Sequence, residues 1–219
     1  MRVTAFVSYC VVAVASIAMA TAADGAVIYS NPITGTNPNA ANPYTAGDSF
    51  DPNITVSGIG RGTGAIGANA NNRYNASSWD TAAIDLNAYF DWTLSPNTGY
   101  EIDFTSLLGE WQRSSTGPTS YVLRSSLDSY VGNIASGAIT GSGVAVAYNL
   151  DLSAVAFDSI TSPITFRLYA WGASASGGTF SINDFAFDGE VGEVVPEPAS
   201  LALLTLAGLA VVVYVRRRS

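Results

Sequence analysis

The chain has 219 residues, with 17 acids against nine basic residues, one cysteine and 48% hydrophobic residues. It contains no histidine, which excludes a Ser-His-Asp triad, a Cys-His pair and a histidine metal site; a single cysteine closes no disulfide within the chain. The net charge of −8 repels nucleic-acid phosphates, so nucleic-acid binding is not expected.

Arg2 supplies a one-charge start, and a mostly apolar stretch runs from Val3 to Ala18-Met19-Ala20. Small residues at Ala18 and Ala20 predict a signal peptide over 1–20, cleaved after Ala20 by signal peptidase on the general secretion route. Cys10 follows Tyr9, where a lipoprotein would need a small residue. Glu197 and four of the nine arginines lie in the two chain ends, which leaves residues 21–195, body and linker together, 16 acids against five arginines, a net charge near −11.

The body, 21–189, reads as an all-β antiparallel sandwich, jelly-roll-like. It is rich in Gly, Ser, Thr, Asn, Ala and aromatics, with no lysine. Short strands are predicted at Ala26–Tyr29 and Ile54–Ile59. Ile84, Leu86, Ala88 and Phe90 then alternate with polar neighbours, extended by Trp92 and Leu94. Tyr100, Ile102 and Phe104 alternate with Glu101, Asp103 and Thr105, and Ser95 to Gly99 between the two runs has hairpin chemistry. Further strands follow at Tyr121–Arg124, Gly143–Leu150, Ile164–Trp171 and Thr179–Phe187, with a helical or bulged turn within 150–157. Asn31 to Asp51, with three prolines, reads as a surface loop. Gly58 to Asn75, with five glycines, reads as a mobile loop; its Gly60-Arg61-Gly62-Thr63-Gly64 lacks the lysine of a phosphate cradle. Glu190 to Val195 reads as an acidic linker.

On the Ile164–Trp171 strand, Thr165, Arg167, Tyr169 and Trp171 share one face. Arg167, Tyr169 and Trp171 are the candidate ligand face: a guanidinium fork suits an acid, and aromatic rings suit the apolar faces of sugars. The competing reading pairs Arg113, Arg124 and Arg167 with structural acids such as Asp103, Glu110, Asp128 and Asp184. Trp79, Trp92 and Trp111 are further aromatics. No cofactor is expected; a structural calcium ion held by Asp48 with Asp51, or Asp184 with Asp188, is the one metal alternative. No catalytic residue is assigned and the chain is not expected to be an enzyme. Glu101, Asp103 and Glu110 are the acids that a third reading, glycoside hydrolysis, would need to converge.

The C-terminal end is the most specific segment. Val195-Pro196-Glu197-Pro198-Ala199-Ser200 precedes an uncharged run that ends at Val215, followed by Arg216, Arg217 and Arg218. Pro196 and Pro198 hold the approach extended. As a helix, 199–215 reaches about 25 Å, short for a membrane span, and the arginines stay on the cytoplasmic side. This tail, 196–219 with Val195, resembles the PEP-CTERM sorting signal. The resemblance implies an exosortase as processing partner, a transient inner-membrane anchor, and delivery of the body to the cell surface or extracellular matrix, where such proteins accompany exopolysaccharide. Arg113-Ser114-Ser115-Thr116-Gly117-Pro118, Arg124-Ser125-Ser126-Leu127-Asp128 and Phe166-Arg167-Leu168-Tyr169-Ala170-Trp171-Gly172-Ala173 are also similar to patterns in PEP-CTERM surface proteins. That likeness implies a β-sandwich ectodomain and supplies no catalytic residue. The expected function is a surface or matrix protein; the alternative is a carbohydrate-binding module acting on exopolysaccharide.

Overall fold

Alternating apolar and polar residues, punctuated by Asn, Gly and Pro, fold this chain into strands that bury one face each. The computed structural model describes residues 25–194. The expected signal peptide, sorting motif, membrane helix and arginine cluster lie outside the described residues. In chain order the strands are β1 (Ala26–Asn31), β2 (Ser49–Phe50), β3 (Ile54–Val56), β4 (Gly60–Arg61), β5 (Ile66–Gly67), β6 (Tyr74–Ser77), β7 (Tyr89–Pro96), β8 (Tyr100–Arg113), β9 (Ser120–Ser125), β10 (Ala135–Ala138), β11 (Val146–Asp151), β12 (Ile164–Trp171) and β13 (Phe180–Glu193). Helical structure among the described residues is limited to 3-10 turns at Pro38–Ala40, Ser126–Asp128 and Val155–Phe157. No helix among them is long and apolar enough to cross a membrane.

The strands form two antiparallel sheets. The first has the order β11-β8-β13-β1-β2, with β6 on β13 and β5 on β6; the second has β10-β9-β12-β7-β3, with β4 on β7. Successive long strands mostly change sheet, and the sets β1-β13-β8-β11 and β7-β12-β9-β10 face each other as in a double-sheet jelly roll. The longest ladder joins β8 to β13, from Phe180 opposite Arg113 to Glu193 opposite Tyr100. β13 thus runs through the stretch 190–193, which the sequence reads as linker.

Between the sheets lies an aromatic core. Trp92 meets Phe185 and Phe187 at 5.6 and 6.0 Å between ring centroids. Trp79 lies 5.3 Å from Phe90, and Trp111 stacks on Tyr148 at 4.6 Å. Each such side chain contributes roughly 1.5–3 kcal/mol by leaving water.

Three further expectations change. Ser95 to Gly99 is not a hairpin: β7 and β8 lie in different sheets, so the turn is a corner between layers. Strand structure begins at Tyr89 rather than Ile84. Asp80 accepts from the amides of Ala82 and Ala83, and Asp85 from that of Asn87; these local bonds replace the ladder. Leu86, inward in an unbroken strand, is 60% exposed. The glycine-rich stretch is packed: a Cβ on Gly60 would collide with the Asp91 carboxylate, and one on Gly62 with the Asn87 carbonyl. Arg61 lies 4.3 Å over the Tyr74 ring and donates to the carbonyls of Asn39 and Ala41 at 2.8 and 3.0 Å.

Candidate functional site

β12 sets the outer face of the second sheet. Ile164, Phe166, Leu168 and Ala170 are buried on its inner side, so Thr165, Arg167, Tyr169 and Trp171 point outward. Register places Arg167 opposite Asp91 of β7 on one side and Arg124 of β9 on the other. The next row sets Tyr169 beside Tyr89, their rings edge-on at 5.5 Å. Charge and aromatic surface are therefore adjacent by strand pairing alone.

The segment after β9 then folds over this face. Ser129 and Tyr130 have φ of 62° and 64°, a left-handed conformation that costs a non-glycine residue roughly 1–2 kcal/mol. Local bonds hold it there. The Asp128 carboxylate accepts from the amides of Val131 and Gly132 at 3.2 and 2.6 Å. The Tyr130 amide donates to the Ser125 carbonyl at 2.9 Å. Arg124 donates through Nε to Asn133 Oδ1 at 2.9 Å and through Nη1 to the Tyr130 carbonyl at 3.1 Å.

The result is a caged cation. The Arg167 guanidinium carbon lies 3.9 Å from the Tyr130 ring centroid and 4.3 Å from that of Tyr89. Each contact is worth about 0.5–2 kcal/mol, more as water is excluded. The Arg167 Nε is buried without a hydrogen-bond partner. Burial pushes the Asp91 carboxyl above its usual value, opposed by Arg167. Burial likewise raises the Tyr89 hydroxyl, which keeps the ring neutral at ordinary pH.

Beside the cage is a depression of about 380 Å³. Arg124, Arg167 and Tyr169 line it, with Tyr169 only 1% exposed. Ser129 and Tyr130 form one side, and Leu86 and Val131, 60% and 75% exposed, add apolar surface. Two guanidinium groups beside aromatic and aliphatic surface can take a carboxylate and the apolar face of a ring in one ligand.

Of the residues singled out in the sequence, Arg167 and Tyr169 come together here. Trp171 is half-buried at the strand end, opposite Ser120, outside this lining. Trp79, Trp92 and Trp111 are core residues. The competing reading pairs the arginines with Asp103, Glu110, Asp128 or Asp184, and their hydrogen bonds run elsewhere: Arg113 donates to the carbonyls of Ile139 and Ser114, while the acid beside Arg167 is Asp91. The acids take backbone amides instead, Asp103 that of Ser159 and Asp184 that of Glu110. Glu101, Asp103 and Glu110 are spaced along β8 opposite Gly192, Glu190 and Asp184 of β13. Asp48 accepts from Asn31 Nδ2 at 2.7 Å and the Tyr29 hydroxyl at 3.2 Å, and Asp51 accepts from the Asn53 amide. Asp188 faces Ser106 across the ladder. Among the described residues no group of three or more acids, histidines or cysteines is placed to hold a metal. Tyr130 and Val131 are site residues that the sequence reading missed. Asp128 four residues before Gly132, an Asx-type return, is the signal that could have found them.

Residues 194–218 match the family model of the PEP-CTERM protein-sorting motif. No curated protein matches the chain. Among solved structures, a mutant of a family 29 carbohydrate binding module is similar at 15% identity, covering 74% of this chain and 93% of its own, with a TM-score of 0.39. A second structure of a family 29 module shows the same identity and TM-score over 89% of its length. An acetyl xylan esterase from the rumen bacterium Butyrivibrio proteoclasticus is similar at 13% identity over 78% of this chain and 35% of its own, with a TM-score of 0.34. Likeness at this level leaves the ligand of this chain to its own residues.

Proposed function

We propose that this is an exported, non-catalytic surface or matrix protein, sorted by an exosortase through its C-terminal motif, whose sandwich holds an acidic exopolysaccharide at the Arg167 depression. In this reading 1–20 is removed as a signal peptide. The helix 199–215 anchors the chain in the inner membrane until processing, and Pro196-Glu197-Pro198 is the recognised segment. The match over residues 194–218 supports the sorting half. It is tested by intact mass in a host with its own exosortase. Wild type is expected to lose the C-terminal segment, and the Pro196→Ala, Pro198→Ala double variant to keep it. Retention of the tail in both overturns the sorting reading.

The observation that carries the ligand half is Arg167, held by two rings and lining the depression together with Arg124. Two guanidinium groups lining one depression suit a charge-assisted bond to a carboxylate. Binding is measured against oligogalacturonate and a neutral glucan of equal length. Arg167→Gln is expected to weaken the acidic oligosaccharide about tenfold or more. Trp171, at the end of the same strand face, is the next contact for a longer chain, so Trp171→Ala weakens long oligomers and spares short ones. Equal affinity for the neutral glucan overturns the acidic assignment.

A further inference from the structure

The five arginines of the described residues are not scattered. Arg61 is spent on the fold, over Tyr74 and on the Asn39 and Ala41 carbonyls. Arg124 and Arg167 line the depression on the second sheet. Arg73 and Arg113, the remaining two, line another depression of about 340 Å³ on the first sheet.

Its base is a cross-strand row, Gln112 of β8, Ser181 of β13 and Asn75 of β6. Trp111, Ile182 and Tyr74, their chain neighbours, are buried in the core, so this row lies on the outer face of the first sheet, across the sandwich from Arg167. Ser114, Ser115, Ser142 and Thr179 surround its end. Arg73 donates Nη1 to Gln112 Oε1 at 2.9 Å. Arg113 donates Nε to the Ile139 carbonyl at 3.1 Å and Nη1 to the Ser114 carbonyl at 3.2 Å. The first bond holds Arg73 over the row, the other two turn Arg113, on the Trp111 side of β8, to the end of the depression, and together they use three of the donors the two groups carry. No carboxylate and no aromatic ring is among the lining residues. Where residues 21–195 carry a net charge near −11, a depression with two arginines and no acid inverts the local field and selects an anion. Hydroxyl and amide groups around it match a ligand rich in hydroxyls, with a carboxylate as its charge.

We propose that this depression is a second site for an acidic sugar unit, and that with the Arg167 site, on whose reading this half rests, it makes the protein a bivalent cross-linker of acidic polysaccharide chains. The two sites lie on opposite faces, so one short oligosaccharide does not occupy both, and two chains held at once are joined through the sandwich.

The full chain, in detergent, is titrated with an oligogalacturonate too short to span both faces, and its long polymer is followed by light scattering. Wild type is expected to bind two oligomers and to raise the scattering of the polymer. Ser115→Glu places an acid beside the arginine pair at an exposed residue outside the core. It and Arg73→Gln are each expected to bind one oligomer and to lose the scattering rise. Arg167→Gln is expected to do the same through the other site. One site in wild type that Ser115→Glu leaves intact overturns the second site and leaves the Arg167 reading standing. One site abolished by Ser115→Glu and untouched by Arg167→Gln overturns the Arg167 reading instead. Two sites without a scattering rise overturn cross-linking. An equal rise with double-stranded DNA overturns the assignment to a sugar.

Discussion

Arg167 is held by rings at 3.9 and 4.3 Å, with Asp91 as its cross-strand neighbour. That neighbour titrates with a consequence for stability. The folded pKa of Asp91 is raised, first by burial and less the attraction of Arg167. An aspartate ionises near 3.9 when unfolded. A raised folded value means that its contribution is fully present below that pH and is lost as pH rises through the folded value. Asp91→Asn removes the effect, so the urea midpoint of the variant should gain on wild type from pH 3.5 to pH 7. Parallel curves would show that Asp91 ionises as freely folded as unfolded. Arg167 and Tyr169 were legible in the sequence, because alternation along β12 places them on one face. Tyr130 was not. It reaches Arg167 through two left-handed residues; Asp128 and Gly132 mark that a turn closes there, but not that Ser129 and Tyr130 adopt this backbone, which residue type does not announce unless a glycine marks it.

At the scale of elements, alternation along β7 and β12 is legible in the sequence, whereas the start of β7 and sheet membership are not. Phe90, Trp92 and Leu94 are buried on one face of β7 as their spacing requires. Ser95 to Gly99 has the chemistry of a reversal, but turn chemistry specifies only that the chain turns, and the partner of each strand is set by packing across the whole molecule. Glycine shows the same limit. Composition alone makes Gly58 to Asn75 look loose, whereas Gly60 and Gly62 are there because Asp91 and the Asn87 carbonyl occupy the space of a side chain. Gly60→Ala therefore pushes β4 off β7 and disturbs the carboxylate beside Arg167. It is expected to destabilise by about 1–3 kcal/mol, read from the urea midpoint. A cost near zero would mean that β4 is free to shift.

Across the whole molecule, stability should concentrate in the central strands. β13 is bonded to β8 along its length and to β1 on its other side, while β10 is an exposed edge. Hydrogen exchange should be slowest in β8, β12 and β13 and fastest in β10 and the 129–133 segment. Protection of β10 equal to that of β13 would contradict this ordering. β13 also ends where the sorting motif begins. Val194, whose amide donates to the Gly99 carbonyl, is the first residue of the matched segment. A pull on that point along the strand is directed down the axis of β13, and its ladder bonds to β8 and β1 lie across the line of force. They are loaded in shear, many at once, rather than peeled one after another. A sandwich hung from this strand resists tension as a rivet does.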